Sequence, residues 1–191
     1  MKARFVLLLV AIMAFAAVAF AQDGAFQVKY ASNLNIGDSV FNITNSGASG
    51  GNICANVYTF SPDEQLISCC SCVVTPNALV SLSANSDLVS NTLTPAHPTS
   101  IVVKIISSSG ACNASSVTTL ASGLLAWGTT LHAAPTSPVS YQVTETAFSN
   151  AGLSAAELAR VTSFCGFIQA NGSGFGICRS CRLGGLGAVA Q

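Results

Sequence analysis

Apolar and polar residues alternate along many short stretches of the chain, and turn residues separate these stretches. Alternation with a period of two, as at Phe26, Val28 and Tyr30, is typical of a half-buried β-strand. Runs rich in β-branched residues, such as 101–106, favour strands as well. The ranges that predict strands are 26–30, 40–44, 54–60, 66–74, 79–83, 101–106, 115–120, 124–132 and 139–146. This pattern predicts a mainly β fold, a single sandwich-like domain of roughly eight to ten strands.

One segment near the C-terminus has helical periodicity instead. Ser154 and Glu157 fit a capping box, in which the serine accepts a hydrogen bond at the helix start and the glutamate reaches back. An apolar stripe follows at helical spacing: Leu158, Val161, Phe164, Cys165 and Ile168. Asn171-Gly172 is a stop signal. We therefore predict one C-terminal α-helix, about 155–169, packed against the sheets and followed by a glycine-rich tail that contains cysteines.

The first 21 residues have the pattern of a secretory signal peptide. Lys2 and Arg4 precede an apolar run over 5–20, and Ala19-Phe20-Ala21 is a small-x-small cleavage pattern. The alternative is an uncleaved membrane anchor, although the run is slightly shorter than the roughly 20 residues that span a bilayer. We expect residues 22–191 to form a secreted domain without a membrane span, located outside the cell, at its surface or in the periplasm.

Charged residues make up 7% of the chain, against a usual fraction of about 25%. After the predicted signal peptide, five cations and seven anions give a balance of −2. So few cations argue against nucleic acid as a partner. A weakly charged surface offers little repulsion between copies of the chain, so we expect either self-association or an exported monomer that simply carries few charges.

Eight cysteines follow the predicted signal peptide: Cys54, Cys69, Cys70, Cys72, Cys112, Cys165, Cys178 and Cys181. An even number of cysteines in an oxidising compartment predicts structural disulfides. If the hairpin over 54–72 turns about Asp63, Cys54 directly opposes Cys72, which predicts a disulfide between them. Cys69 and Cys70 are neighbours in one strand, so they should point to opposite faces and have different partners.

Two other uses of these thiols remain open. Crowded cysteines and the Cys-x-x-Cys spacing of Cys178 and Cys181 are compatible with a metal site. The same spacing also occurs in redox pairs, although such pairs usually begin a helix, whereas this one follows a helix. We predict structural disulfides, with no metal site and no cofactor.

The sequence contains no constellation that predicts catalysis. His97 and His132 are the side chains that ordinarily titrate near neutral pH, but their contexts favour surface or packing roles. Asp63 and Glu64 are adjacent acids at a predicted turn, where carboxylates are usually just solvated. Neither a phosphate-binding loop nor a zincin motif is present. We therefore predict no catalytic or cofactor-binding residues.

Two stretches carry a resemblance to known proteins. The first runs from Asn52-Ile53-Cys54 through Cys69-Cys70-Ser71-Cys72, and the second runs from the helix at 164–174 to Cys178-Arg179-Ser180-Cys181. They resemble a group of exported, uncharacterised (acido)bacterial proteins that share the Cys-Cys-Ser-Cys segment and a C-terminal Cys-x-x-Cys. The resemblance extends over most of the chain after residue 21. It implies secretion and nothing about chemistry.

Three functional hypotheses follow. The first is a secreted structural or cell-surface protein, a self-assembling extracellular subunit, whose segment 22–30 either adds to a neighbour's sheet edge or pairs within its own domain. The second is a soluble binding or adhesion module that holds a sugar on exposed aromatic side chains, for which the candidates are Trp127, Tyr58 and Tyr141. The third is a secreted hydrolase built around His97 or His132.

Overall fold

The computed structural model describes residues 24–133, 141–179 and 181–183. The predicted signal peptide and residues 139–140 of the last predicted strand lie outside these ranges. The described strands are β1 (Phe26–Ala31), β2 (Val40–Asn45), β3 (Ile53–Phe60), β4 (Leu66–Val74), β5 (Leu79–Ser83), β6 (Ile101–Ser108), β7 (Leu124–His132), β8 (Gln142–Ala147), β9 (Ser149–Asn150) and β10 (Arg182–Leu183). The helix α1 is Ala155–Asn171, and one π-helical turn, Ala84–Leu88, follows β5. The mainly β prediction with one C-terminal helix is confirmed.

The strands form two five-stranded antiparallel sheets in a sandwich-like arrangement. Sheet A has the order β4-β3-β6-β1-β9, and sheet B has the order β10-β5-β2-β7-β8. The main core contains buried side chains from both sheets, among them Val57 and Val103 of sheet A and Phe41, Ile43 and Leu124 of sheet B. Because apolar side chains from two sheets meet there, burial of this surface provides the main stabilisation of the fold.

Helix α1 forms a third layer on the other face of sheet A. Val161, Cys165 and Ile168 are buried in a second apolar cluster with Tyr58 and Phe60 of β3. All eight residues of β3 are consequently buried. An ion pair between Lys104 of β6 and Glu157 of α1 lies at the border of this layer.

The β3–β4 hairpin overturns the predicted Cys54–Cys72 disulfide. Phe60 opposes Leu66, as expected for a turn about Asp63, but the register shifts by one residue between Thr59 and Phe60. Cys72 therefore opposes Ala55, and Cys54 opposes Val73. A slip of one residue reverses the face on which a side chain lies, so Cys54 and Cys72 point to opposite faces of sheet A and cannot pair.

Four disulfides use all eight cysteines, and each joins the β3–β4 hairpin to a distant segment. The pairs are Cys54–Cys112, Cys69–Cys165, Cys70–Cys178 and Cys72–Cys181, with Cα–Cα distances of 5.2, 5.9, 5.3 and 5.8 Å. The prediction that Cys69 and Cys70 have different partners is confirmed. Cys69 is linked to α1 on one face of β4. The two C-terminal cysteines are linked to Cys70 and Cys72 on the other face of this strand. Structural disulfides of this kind are typical of an oxidising extracellular or periplasmic environment.

The strand predicted at 115–120 is wrong. Its residues lie in turns and loops, apart from a single bridge between Leu120 and Ser108. The side chain of Asn113 accepts hydrogen bonds from the backbone N–H and the hydroxyl of Ser115. Such local side-chain bonds compete with a strand ladder, while Ala114 and Val117 are buried in the cluster beneath α1.

Strand β1 pairs within its own domain. It lies antiparallel to β6 along its whole length and to β9 at Gln27 and Val28. The described part of segment 22–30 therefore has its partners inside the molecule. This is the second of the two roles considered for that segment.

Candidate functional site

The residues considered for catalysis are exposed and lie in separate loops or at a strand end. His97 is exposed in the loop between the π-helical turn and β6. His132 is exposed at the end of β7, where its Nε2 lies 2.8 Å from the hydroxyl oxygen of Thr144. Asp63 and Glu64 are exposed at the β3–β4 turn. In the part of the chain that the structure describes, no hydrogen bond or ion pair joins either histidine to a carboxylate.

The aromatic side chains considered for sugar binding are in different environments. Tyr58 is fully buried, and its hydroxyl donates a hydrogen bond to the backbone oxygen of Ala114 at 2.7 Å. Its proposed role as an exposed aromatic residue is therefore wrong. Trp127 is half-buried on β7, and Tyr141 is exposed beside β8.

The two cysteines of the Cys-x-x-Cys motif pair with β4 and not with each other. Cys178 is linked to Cys70, and Cys181 is linked to Cys72. A redox motif of this spacing would form its disulfide internally, so the redox hypothesis does not fit this connectivity. Within residues 24–133, 141–179 and 181–183, no group of three or more His, Cys, Asp or Glu side chains could hold a metal ion.

An apolar cleft of about 500 Å³ lies between the β3–β4 turn and α1. Phe164 and Phe167 of α1 form one wall, and both are substantially exposed. The guanidinium of Arg160 lies 5.8 Å from the centre of the Phe164 ring, within the range of a cation–π contact. Asp63 and Glu64 lie at the opposite wall.

Strand β8 is the outer strand of sheet B, and among the described residues its one strand partner is β7. All six of its side chains are exposed. Phe148, directly after the strand, returns to the core, where its ring meets that of Phe41 edge to face. This buried ring fixes one end of β8 while the strand itself remains at the surface.

A second cleft, of about 410 Å³, lies where β1 extends beyond its short partner β9. Lys29 of β1 reaches into it with 8% of its surface exposed, and its Nζ donates a hydrogen bond to the hydroxyl of Thr146 at 2.5 Å. Gly128 lies beside this side chain, and a Cβ at that position would come within 2.8 Å of Phe41 Cδ1 and of the backbone oxygen of Val40, and within 3.2 Å of Cε of Lys29. Burial lowers the pKa of the Lys29 ammonium from its ordinary value of 10.5.

Sequence reasoning missed this cleft because it took Phe26, Val28 and Tyr30 as the buried side of a half-buried strand and did not consider that the polar side of β1 faces sheet B. Phe26 is buried in the cluster beneath α1 and Val28 packs against that cluster, whereas Tyr30 is 56% exposed. The inward face instead carries Gln27, which donates to the backbone oxygen of Leu124 in sheet B, and Lys29. The signal that could have revealed the cleft is a lysine in a chain with very few charges.

Among the described residues, no helix has the length and apolar character needed to cross a bilayer. Comparisons with models of protein families, with curated proteins and with solved structures gave no match for this chain.

Proposed function

We propose that the protein is a secreted structural or cell-surface protein whose copies associate through the open edge of β8. The observation that carries the proposal is this six-residue strand, exposed along its length and paired on one side among the described residues. An unpaired strand edge is a ready template for a strand from another chain. Low charge and disulfides are consistent with an extracellular subunit of this kind.

The direction of the β8 backbone groups supports edge-to-edge pairing. Phe148 N–H donates to the backbone oxygen of Ala126 at 2.8 Å, which makes Ala126 and Phe148 a hydrogen-bonded pair. Such pairs alternate with non-hydrogen-bonded pairs in an antiparallel ladder. Val143, Glu145 and Ala147 therefore direct their N–H and C=O groups away from β7, towards the open edge.

The other sheet edges are covered or short. Along β4, Cys69 N–H donates to Gly176 and its backbone oxygen accepts from Cys178, while Ile67 accepts from Leu93. Strand β9 has two residues, and so does β10 as far as the structure describes it. Along β8, Glu145 is the one charged residue, so the protection that charges usually give to an edge is weak.

The test replaces Val143 by proline. Val143→Pro removes an N–H that points to the open edge and leaves the bonds to β7 in place, because Gln142, Thr144 and Thr146 make those bonds. We expect the wild type to form dimers or larger species as its concentration rises, and Val143→Pro to remain monomeric in sedimentation velocity. Assembly should persist at high salt, because few charges are involved.

Val143→Thr is the matched control. It keeps the N–H and a β-branched side chain at the same position, so it should assemble like the wild type. Melting temperatures of both variants report whether the fold is intact. A wild type that is monomeric at all concentrations, or a folded Val143→Pro variant that assembles as well as the wild type, would contradict the proposal.

A further inference from the structure

The described part of the chain leaves the buried cation of Lys29 without an anionic partner. Among the described residues, the ion pair is the one between Lys104 and Glu157. The hydrogen bond of Lys29 goes to the hydroxyl of Thr146, which is neutral. An ammonium group has three N–H donors. Removing it from water without a counter-charge costs free energy, so the site is complementary to an anion.

The walls of the cleft around Lys29 are rich in hydroxyl groups. Thr130 of β7 and Thr144 and Thr146 of β8 line it together with His132. The β8 carboxylate, Glu145, alternates with Thr144 and Thr146 and therefore lies on the other face of the strand. None of the described residues that line the cleft is an aspartate or a glutamate.

An aromatic residue lies at the rim of the cleft, where its side chain leaves β1 on the face opposite to that of Lys29. Tyr30, next to Lys29 on β1, contributes to the lining and is 56% exposed. A volume of about 410 Å³ lies within the usual range for small-molecule sites, roughly 300–1,000 Å³. The hydroxyl groups match the polar edges of a sugar, and the tyrosine matches the face of its ring. The buried cation matches a carboxylate, so the cleft as a whole fits an acidic sugar.

We propose that this cleft binds a sugar that carries a carboxylate, with Lys29 Nζ donating to the carboxylate oxygens. The hydroxyls of Thr130 and Thr144 exchange hydrogen bonds with the hydroxyls of the sugar, and Tyr30 covers one face of its ring. Ala147 lines the cleft as well, but the β8 edge uses its backbone groups and those of Val143 and Glu145, whereas the sugar is held by the side chains of Lys29, Thr130 and Thr144. Binding of sugar and assembly can therefore succeed or fail independently.

The experiment is isothermal titration of the full, disulfide-bonded protein with D-glucuronate, D-glucose and acetate. Glucuronate and glucose differ at the carboxylate, and acetate carries a carboxylate without a sugar. We expect millimolar or tighter binding of glucuronate. Binding should be weaker by about tenfold or more for glucose, which lacks the charged hydrogen bond, and for acetate, which lacks the hydroxyl and ring contacts of the sugar. Undetectable glucuronate binding, or equal affinity for glucose, would overturn the proposal, and equal affinity for acetate would overturn the sugar assignment.

The decisive variant is Lys29→Met, which keeps an unbranched apolar side chain beside Gly128 and removes the charge. We expect it to lose glucuronate binding by about tenfold or more and to melt no lower than the wild type, because a buried unpaired cation is gone. Lys104→Met, which alters the other described lysine of sheet A, should bind as the wild type does. Unchanged affinity in Lys29→Met, or an equal loss in Lys104→Met, would overturn the role of Lys29. Thr144→Val provides a second test, since it should weaken binding while keeping the volume of the side chain.

Discussion

Tyr58 connects the chemistry of one side chain to the stability of the layer beneath α1. Its ring is buried in the second apolar cluster, and its hydroxyl donates to the backbone oxygen of Ala114. Burial raises the pKa of this phenol above its ordinary value of 10.0, because the charged form would lose its hydration. The folded protein therefore holds this proton at pH values where the unfolded chain releases it.

This difference predicts a loss of stability in alkali. The contribution of Tyr58 is fully present below pH 10.0 and decreases as the pH rises above that value towards the raised pKa of the folded state. Tyr58→Phe should lower the free energy of unfolding by about 0.5–1.5 kcal/mol at neutral pH, through the lost hydrogen bond. Above pH 10 its stability should decrease less steeply than that of the wild type, as measured by urea unfolding.

Tyr30→Phe serves as the control, because Tyr30 is exposed. Its stability should follow that of the wild type through the same alkaline range. Parallel pH curves for the wild type and Tyr58→Phe would contradict the assigned cause.

The two faces of helix α1 have different roles, because one packs against sheet A and the other faces solvent. Ser154 accepts a hydrogen bond from Glu157 N–H, so the cap predicted from the sequence is present. Within one turn of each other, Ile168 is 2% exposed and Phe167 is 61% exposed. The contact between α1 and sheet A therefore depends on the helix face that carries Ile168, although Phe167 is strongly apolar as well.

We expect Ile168→Ala to lower the free energy of unfolding by about 2–5 kcal/mol, because it opens a cavity between α1 and β4. Phe167→Ala should change it by no more than about 0.5 kcal/mol, as is usual for surface positions. Chemical unfolding of both variants measures the difference. Equal losses would mean that α1 does not pack with the Ile168 face against sheet A.

The elements were easier to predict than the contacts between them. The strands predicted at 66–74, 79–83 and 124–132 have the observed bounds of β4, β5 and β7, and the capping box locates the start of α1. The irregularity at Thr59 and Phe60 has no comparable sequence signal, and it moves Cys54 out of register with Cys72. One inserted residue was enough to invalidate the predicted disulfide.

At the scale of the whole molecule, the disulfides tie the β3–β4 hairpin to segments 58 to 109 residues away in sequence. Eight cysteines allow 105 pairings, and the choice among them depends on where α1 and the C-terminal segment lie against β4. Sequence patterns with periods of two or 3.6 describe single elements and contain no information on that placement. The Lys29 cleft was missed partly for the same reason, because its walls come from five strands, β1, β6, β7, β8 and β9.

The most direct test of the assembly proposal is hydrogen exchange of the β8 amides as a function of protein concentration. The outward N–H groups of Val143, Glu145 and Ala147 should exchange quickly at low concentration and become protected as copies pair edge to edge. The N–H groups of Gln142, Thr144 and Thr146, which face β7, should be protected throughout. If the outward amides exchange at the same rate at every concentration, or if protection grows elsewhere while they stay fast, β8 is not the edge through which this protein assembles.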